Sequence, residues 1–277
     1  MKKDLKKYLT PVTIVALITI LVGCTTNTLT HRSQLSLVSD DEVMSTSATQ
    51  YKQFISTNKV VFAKGGSKDA AVVNKVSNKI IAAVKQYYAD LGRTSELDGY
   101  AWEINTVQST EANAWCMPGG KIVVYTGILP ITQNEASLAV VIGHEVTHAL
   151  AKHGKERMSQ GLIQQFGGQA LSIALANKPQ ETQQLFGTAY GLGTQYGIML
   201  PFSRNDEYEA DKYGLIFTAL AGYDPHEAIN FWHRMEQFAG SQKPPEFLST
   251  HPSDENRIAQ LQSVMDETVA KYYHPQH

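Results

Sequence analysis

The sequence predicts an α+β domain, mainly helical, and three observations carry that expectation. Residues 102–125 hold three short runs rich in β-branched and aromatic residues, the last two separated by the turn-forming Met117-Pro118-Gly119-Gly120. From residue 134 onward, apolar residues recur at helical spacing in one segment after another. No fixed-period repeat runs through the chain, and roughly 225 residues are enough for one domain with a sizeable core. A small sheet followed by many helices is an α+β arrangement.

Before that domain the chain has a different character. Lys2, Lys3, Lys6 and Lys7 precede an uncharged, mostly apolar run from Pro11 to Val22. Such a run is too short for a comfortable membrane span and reads as a secretory signal over residues 1–23. Leu21-Val22-Gly23-Cys24 resembles the lipobox of bacterial lipoproteins, in which the signal is cut before a cysteine that is then acylated. By the same resemblance, Thr25 after Cys24 implies sorting to the outer membrane rather than inner-membrane retention. Residues 24–50 are Ser/Thr-rich with little periodicity, and the expectation is a tether between the lipid and a domain over residues 51–277.

The whole chain carries a formal charge of −2, and cutting the signal removes four lysines and one aspartate, which leaves −5. That mildly acidic balance gives no electrostatic reason to expect nucleic acid as partner. Only Cys116 remains besides Cys24, so no internal disulfide framework is expected despite an oxidising address.

Residues 69–91 place Val72, Val73, Val76, Ile80 and Val84 at helical spacing and close at Gly92. Strands are expected over 102–108, 112–116 and 121–125. A strong amphipathic helix follows over 134–152, with a glutamate in its first turn. Residues 155–177 and 181–200 read as a helical pair, an insert over 155–200 rich in glycine. Six of its glycines would each weaken an isolated helix by about 1 kcal/mol, which suggests close packing combined with mobility, as in a lid. Helices over 203–221, 225–239 and 253–272 complete the chain.

The chemistry concentrates in two of these helices. His144-Glu145-Val146-Thr147-His148 lies within 134–152, and residues four apart are separated by about 40° around a helix. Both imidazoles can therefore point at one ion, with Glu145 off their line and placed to take a proton from a water. A hydrolytic zinc site wants a third protein ligand. In the pattern that supplies a third histidine, Ala151 and Gly154 stand where a glycine and that histidine belong. His153 is about 140° around the helix from His148 and is expected at the helix C-terminus, where an imidazolium suits the dipole. The alternative is a carboxylate from a later helix. Residues 203–214 hold four: Glu207 and Asp211 share a face, so one can bind metal while the other accepts an imidazole N–H. Asp206 and Glu209 fall off that face and are expected in solvent.

The pair H-E-V-T-H and E-Y-E-A-D resembles the HExxH…ExxAD signature of the gluzincin metallopeptidases that include HtpX, BepA, LoiP and the CAAX prenyl proteases, metallopeptidase family forty-eight. The resemblance covers nearly everything from residue 69 to 272, including N-A-W-C-M-P-G-G-K-I-V-V-Y-T-G at 113–127 and Thr250-His251-Pro252-Ser253. It implies a zincin-like metalloprotease fold with a small β-sheet beside the active-site helix. It further implies one zinc ion per chain, held by His144, His148 and Glu207, with Asp211 supporting a ligand histidine. In size and plan the chain is similar to LoiP-like periplasmic lipoproteins, without the tetratricopeptide extension or transmembrane helices of other members.

Glu145 is expected as general base. His251 is expected to donate to the developing oxyanion, or alternatively to fill the open metal position and hold the site latent. Arg257 is expected to pair with Asp211 or with the substrate carbonyl. Substrate is expected to add as a strand at Asn113, Ala114 and Trp115, where main-chain recognition suits unfolded or exposed segments of polypeptide. The implied work is quality control of unfolded or misassembled envelope and outer-membrane proteins on the periplasmic side. The competing expectation is a membrane-anchored chaperone or assembly factor. Cys116 is expected as a packing residue.

Overall fold

The computed structural model describes residues 23–166, 202–241, 246–251 and 256–274. Two expectations therefore fall largely outside the described residues: the signal before Gly23, and the lid, of which only the first turns are described.

The supposed tether is folded. Strands β1 (Cys24–Thr26) and β2 (Ser33–Leu35) form an antiparallel hairpin, and helix α1 (Asp40–Thr57) follows, capped by the Ser39 side chain accepting from the Glu42 N–H. Val43, Ser47 and Tyr51 are the buried residues of α1. Because they are spaced four apart, they form one stripe, broken up in sequence by serines and threonines. Residues 24–50, expected as a tether of little periodicity ahead of the domain, thus carry regular structure of their own.

A four-stranded sheet is built from β3 (Val60–Val61), β4 (Glu103–Val107), β5 (Ala114–Met117) and β6 (Lys121–Tyr125), in the order β3-β4-β6-β5. Helix α2 (Lys68–Asp90) lies between β3 and β4 in sequence, starting at a Ser67 cap. It buries Val73, Val76, Ile80, Ile81 and Val84, while Val72 of the expected stripe is exposed. β5 and β6 pair antiparallel, Ala114 opposite Val124 and Met117 opposite Lys121, and β6 runs parallel to β4. Gly119 and Gly120 make the turn between them with φ of 83° and 78°, a left-handed conformation that costs a side chain-bearing residue energy.

Every residue of β6 is buried, so both faces of the sheet are covered. Ile122 and Val124 face the main core with Ala114 and Cys116; Val123 and Tyr125 face a smaller core with Met117, Val43 and Tyr51. The alternation follows from the two-residue period of a strand. Helix α1 closes the second face together with Met158 and Leu162 from the helix over His153–Phe166.

After the short α3 (Leu129–Thr132), α4 (Glu135–Leu150) begins at Asn134, whose side chain accepts from the Ser137 N–H at 2.8 Å. From Ser137 to Leu150 it is buried throughout, as a helix enclosed on all sides must be. Helices α5 (His153–Phe166), α6 (Arg204–Leu220), α7 (Glu227–Ser241), α8 (Glu246–Thr250) and α9 (Arg257–Tyr272) surround it. The main core includes Phe217 from α6 and Trp232 from α7, both at most 2 % exposed. Burying a side chain such as Phe217 stabilises the fold by about 1.5–3 kcal/mol.

α4 and α6 approach at two glycines. A Cβ on Gly143 would sit 2.8 Å from the Gly214 carbonyl oxygen, and one on Gly214 would sit 2.9 Å from the His144 nitrogen. Only glycine permits that contact without a shift. It brings the two motif-bearing helices together at His144. Among the described residues no helix is long and apolar enough to cross a membrane.

Candidate metal centre

One turn of α4 and the first turns of α6 face each other just beyond the glycine contact. His144 and His148 project from α4, Glu207 from α6, and His251 from the segment after α8; all four are buried. One donor atom from each lies within 4.8 Å of every other. His144 Nε2 is 3.0 Å from His148 Nε2 and 3.2 Å from His251 Nδ1, which is 3.0 Å from Glu207 Oε1. Glu207 oxygens lie 3.5 Å from both His144 Nε2 and His148 Nε2. Metal–nitrogen bonds of about 2.0–2.1 Å arranged tetrahedrally separate their donors by roughly 3.3 Å. The donor set fits a small cation of that kind, and three imidazoles with one carboxylate suit zinc chemistry.

Charge points the same way. Glu145, Glu207 and Asp211 are all buried here and Arg257 pairs with the last two, so with it a divalent cation would balance the three carboxylates once the imidazoles are neutral. Glu145 Oε1 is buried without a hydrogen bond and has His251 Nε2 3.3 Å away. Burial raises the Glu145 carboxyl above its ordinary range, although His251 and His144 pull against it. A carboxyl held above its ordinary range is a stronger base than a free one. Burial would lower the His144 imidazole, but hydrogen bonds to Asp211 and Glu207 push it up to about 9. His148 is pushed down, first by burial and then by His144.

Asp211 is placed as an orienting group. Its Oδ1 lies 2.9 Å from His144 Nδ1, and Arg257 donates to it through Nε and Nη2, each at 2.8 Å. Burial alone would raise Asp211, yet Arg257 and His144 hold it below the ordinary carboxylate range. Arg257 Nη1 is also 2.8 Å from Glu207 Oε2, and its guanidinium lies 3.5 Å from the Trp232 ring. Of the two partners expected for Arg257, the structure places Asp211 against it.

Two expectations are corrected. Asp206 and Glu209 are not in solvent. Asp206 closes a capping box with Ser203, and both carboxylates pair with Arg32. His153 does not sit at the end of α4. Ala151 caps α4, Lys152 takes a left-handed φ of 57°, and His153 opens α5 fully buried, with its Nδ1 2.9 Å from His148 Nδ1. Counting around one continuous helix failed because the helix stops two residues earlier.

A cleft opens against the cluster. Asn113, Ala114, Trp115 and Cys116 form one wall, opposite Glu145, His148, Arg157, Phe202, Thr250 and His251. β5 is the outer strand of its sheet at this wall. Cys116 is buried, and burial holds its thiol well above the ordinary range, which keeps it protonated. Phe202 stacks on His148 at 3.9 Å and carries the Arg157 guanidinium 3.5 Å from its ring. Neither residue carried a sequence signal, since both lie outside the motifs. Cys24 is exposed in β1, far along the chain from the cluster.

A family model described as peptidase family M48 matches residues 74–265. Mitochondrial metalloendopeptidase OMA1 of Arabidopsis thaliana is 37 % identical over 182 residues, covering 65 % of this chain and 35 % of that protein. The OMA1 of Schizosaccharomyces pombe is 32 % identical over 200 residues, 72 % of this chain and 54 % of its own length. The beta-barrel assembly-enhancing protease of Escherichia coli is 31 % identical over 157 residues, 55 % of this chain and 32 % of its own. The chain thus spans between about a third and about half of the length of these relatives.

Proposed function

This chain belongs to peptidase family M48, and from that premise we propose that it is a zinc-dependent endopeptidase acting on unfolded or misassembled envelope proteins. The observation that carries the reading is the set of four clustered donors with Glu145 against it, at the foot of a cleft walled by an outer strand. His144, His148 and Glu207 are the residues that would hold the zinc. When bound, the ion polarises the scissile carbonyl and acidifies water at the site.

The remaining work belongs to the chain. Glu145 accepts the proton of the attacking water and returns it to the leaving amine. His251, with Nε2 toward Glu145, donates to the oxyanion as it develops. Asp211 and Arg257 fix the His144 ring. A substrate segment pairs along Asn113, Ala114 and Trp115 through its main chain, which favours extended, unfolded polypeptide. The printed name of the Escherichia coli relative supports outer-membrane proteins as substrates. Acylation of the exposed Cys24 would anchor the chain at the outer membrane, facing the periplasm, in the manner of LoiP-like lipoproteins.

Hydrolysis of casein by the zinc-loaded protein, with Glu145→Gln as control, tests the enzyme. The variant is expected to lose about 10²–10⁴-fold in kcat; equal rates would sink the reading.

A second reading rests on His251 Nδ1 standing as a fourth donor. A closed set of four protein ligands leaves no place for water. In that reading the protein is a membrane-anchored chaperone or assembly factor with a mostly latent site. His251→Ala separates the two, raising casein hydrolysis if His251 is a latch and lowering it if His251 serves the oxyanion.

A further inference from the structure

We propose that the N-terminal arm around β1 and β2 is a working part of the metal centre, with Arg32 positioning His148 through Glu209 and His153. The proposal rests on the reading of His148 as a metal ligand.

The hydrogen bonds run without a break. His148 directs Nε2 into the donor cluster, so its ring proton sits on Nδ1. That N–H faces His153 Nδ1 at 2.9 Å, which must then be the acceptor. The remaining proton of His153 is on Nε2, 2.9 Å from Glu209 Oε2. The other oxygen of Glu209 accepts from Arg32 Nε at 2.8 Å. Every donor in this series has one acceptor, and the tautomer of each ring follows from its neighbour. His153 is fully buried, so losing either partner would strand a polar nitrogen away from water.

Arg32 is itself locked. Its guanidinium donates to both oxygens of Glu156, at 3.0 and 2.8 Å, and to Asp206 Oδ1 at 2.6 Å. His153, Asp206 and Glu209 otherwise have the spacing of a second metal site. The guanidinium bonded to both of those carboxylates supplies the positive charge there, which assigns the cluster to support rather than to a second ion. The arm that delivers Arg32 is bound to the metal helices at three further points. Asn27 and Gln34 donate to the Ala151 carbonyl at the end of α4, and Tyr213 of α6 donates to the Leu29 carbonyl.

A group hydrogen-bonded to the back of a ligand histidine is worth about 10–100-fold in metal affinity. Zinc affinity by chelator competition, in the full chain, tests the proposal. His153→Leu and Arg32→Leu are each expected to weaken zinc by about that factor. His153→Gln, whose amide both accepts and donates, is expected to retain more affinity than His153→Leu. Wild-type affinity in both leucine variants, or equal losses for leucine and glutamine at 153, would overturn the proposal. Should a leucine variant fail to melt cooperatively, the absorption spectrum of cobalt-substituted Glu209→Gln carries the test. A changed ligand field supports the relay and a wild-type spectrum overturns it. His148→Ala must lose the metal in the same assay; its retention would overturn the ligand reading beneath the proposal, a distinct outcome.

Discussion

The two histidines of α4 are held from behind in different ways. His144 meets a carboxylate directly, Asp211, which Arg257 locks from within the same core. His148 meets a second imidazole, and the carboxylate and guanidinium stand one and two residues further out. Asp211 and Arg257 are 8 % and 3 % exposed as side chains, whereas Arg32 is 23 % exposed. The first support is short, buried and confined to helices α6 and α9. The second is longer, reaches the surface, and depends on the arm before α1. A metal centre can thus have one side set by its core and another open to influence from outside.

The largest effect should come from breaking the short side. Asp211→Asn strips the charge from a buried pair and leaves Arg257 with Glu207 as its charged partner, which should cost about 3 kcal/mol in denaturant unfolding, the low end for a broken buried pair. A loss below roughly 1 kcal/mol would mean the pair is far better solvated than its burial indicates. Next comes the contact that joins the two helices. Gly214→Ala forces a methyl group against the His144 backbone and should cost about 1–3 kcal/mol, with weaker metal binding alongside.

Acid sharpens the comparison further. Asp211 and Glu209 are both held below their ordinary values: burial would raise each, and Arg257 with His144, or His153 with Arg32, prevails. A depressed carboxylate contributes stability that is present above its unfolded pKa and lost as pH falls through the folded one. The stability gap between wild type and Asp211→Asn should therefore narrow as pH drops below about 3.9, and that for Glu209→Gln below about 4.3. Melting temperatures across that range check both, and a gap that widens in acid would reverse the assignment. The smallest effect is ionic. Raising salt should weaken zinc binding slightly through the partly exposed Arg32 cluster and leave the Asp211 side unchanged. Comparing the salt dependence of zinc affinity in Arg32→Leu and wild type would reveal it, the variant being expected to show the flatter response.

Of the short side, the sequence spacing put Glu207 and Asp211 on one helix face and His144 and His148 on another, while which carboxylate stands behind His144 came only from the family resemblance. The turn at Gly119-Gly120 and the strand over 121–125 were legible from local composition, but Lys-Ile-Val-Val-Tyr does not alternate and gave no sign of which face meets which core. The long side was not legible. Lys152 adopts a left-handed conformation without being glycine, so nothing local announces the break that turns His153 back onto His148. Arg32 reaches Glu156, Asp206 and Glu209 across more than a hundred residues, and ion pairs between distant segments leave no periodic trace. The arm and α1 were read as a tether because serine and threonine interrupt their buried stripe. The Gly143–Gly214 approach needed two helices to be seen together.

The proposal that both supports serve one zinc ion is tested most directly by zinc content per chain. Mass spectrometry of the purified protein should find one zinc per wild-type chain and almost none in His144→Ala of unchanged fold. Stoichiometric zinc retained by His144→Ala would contradict the account.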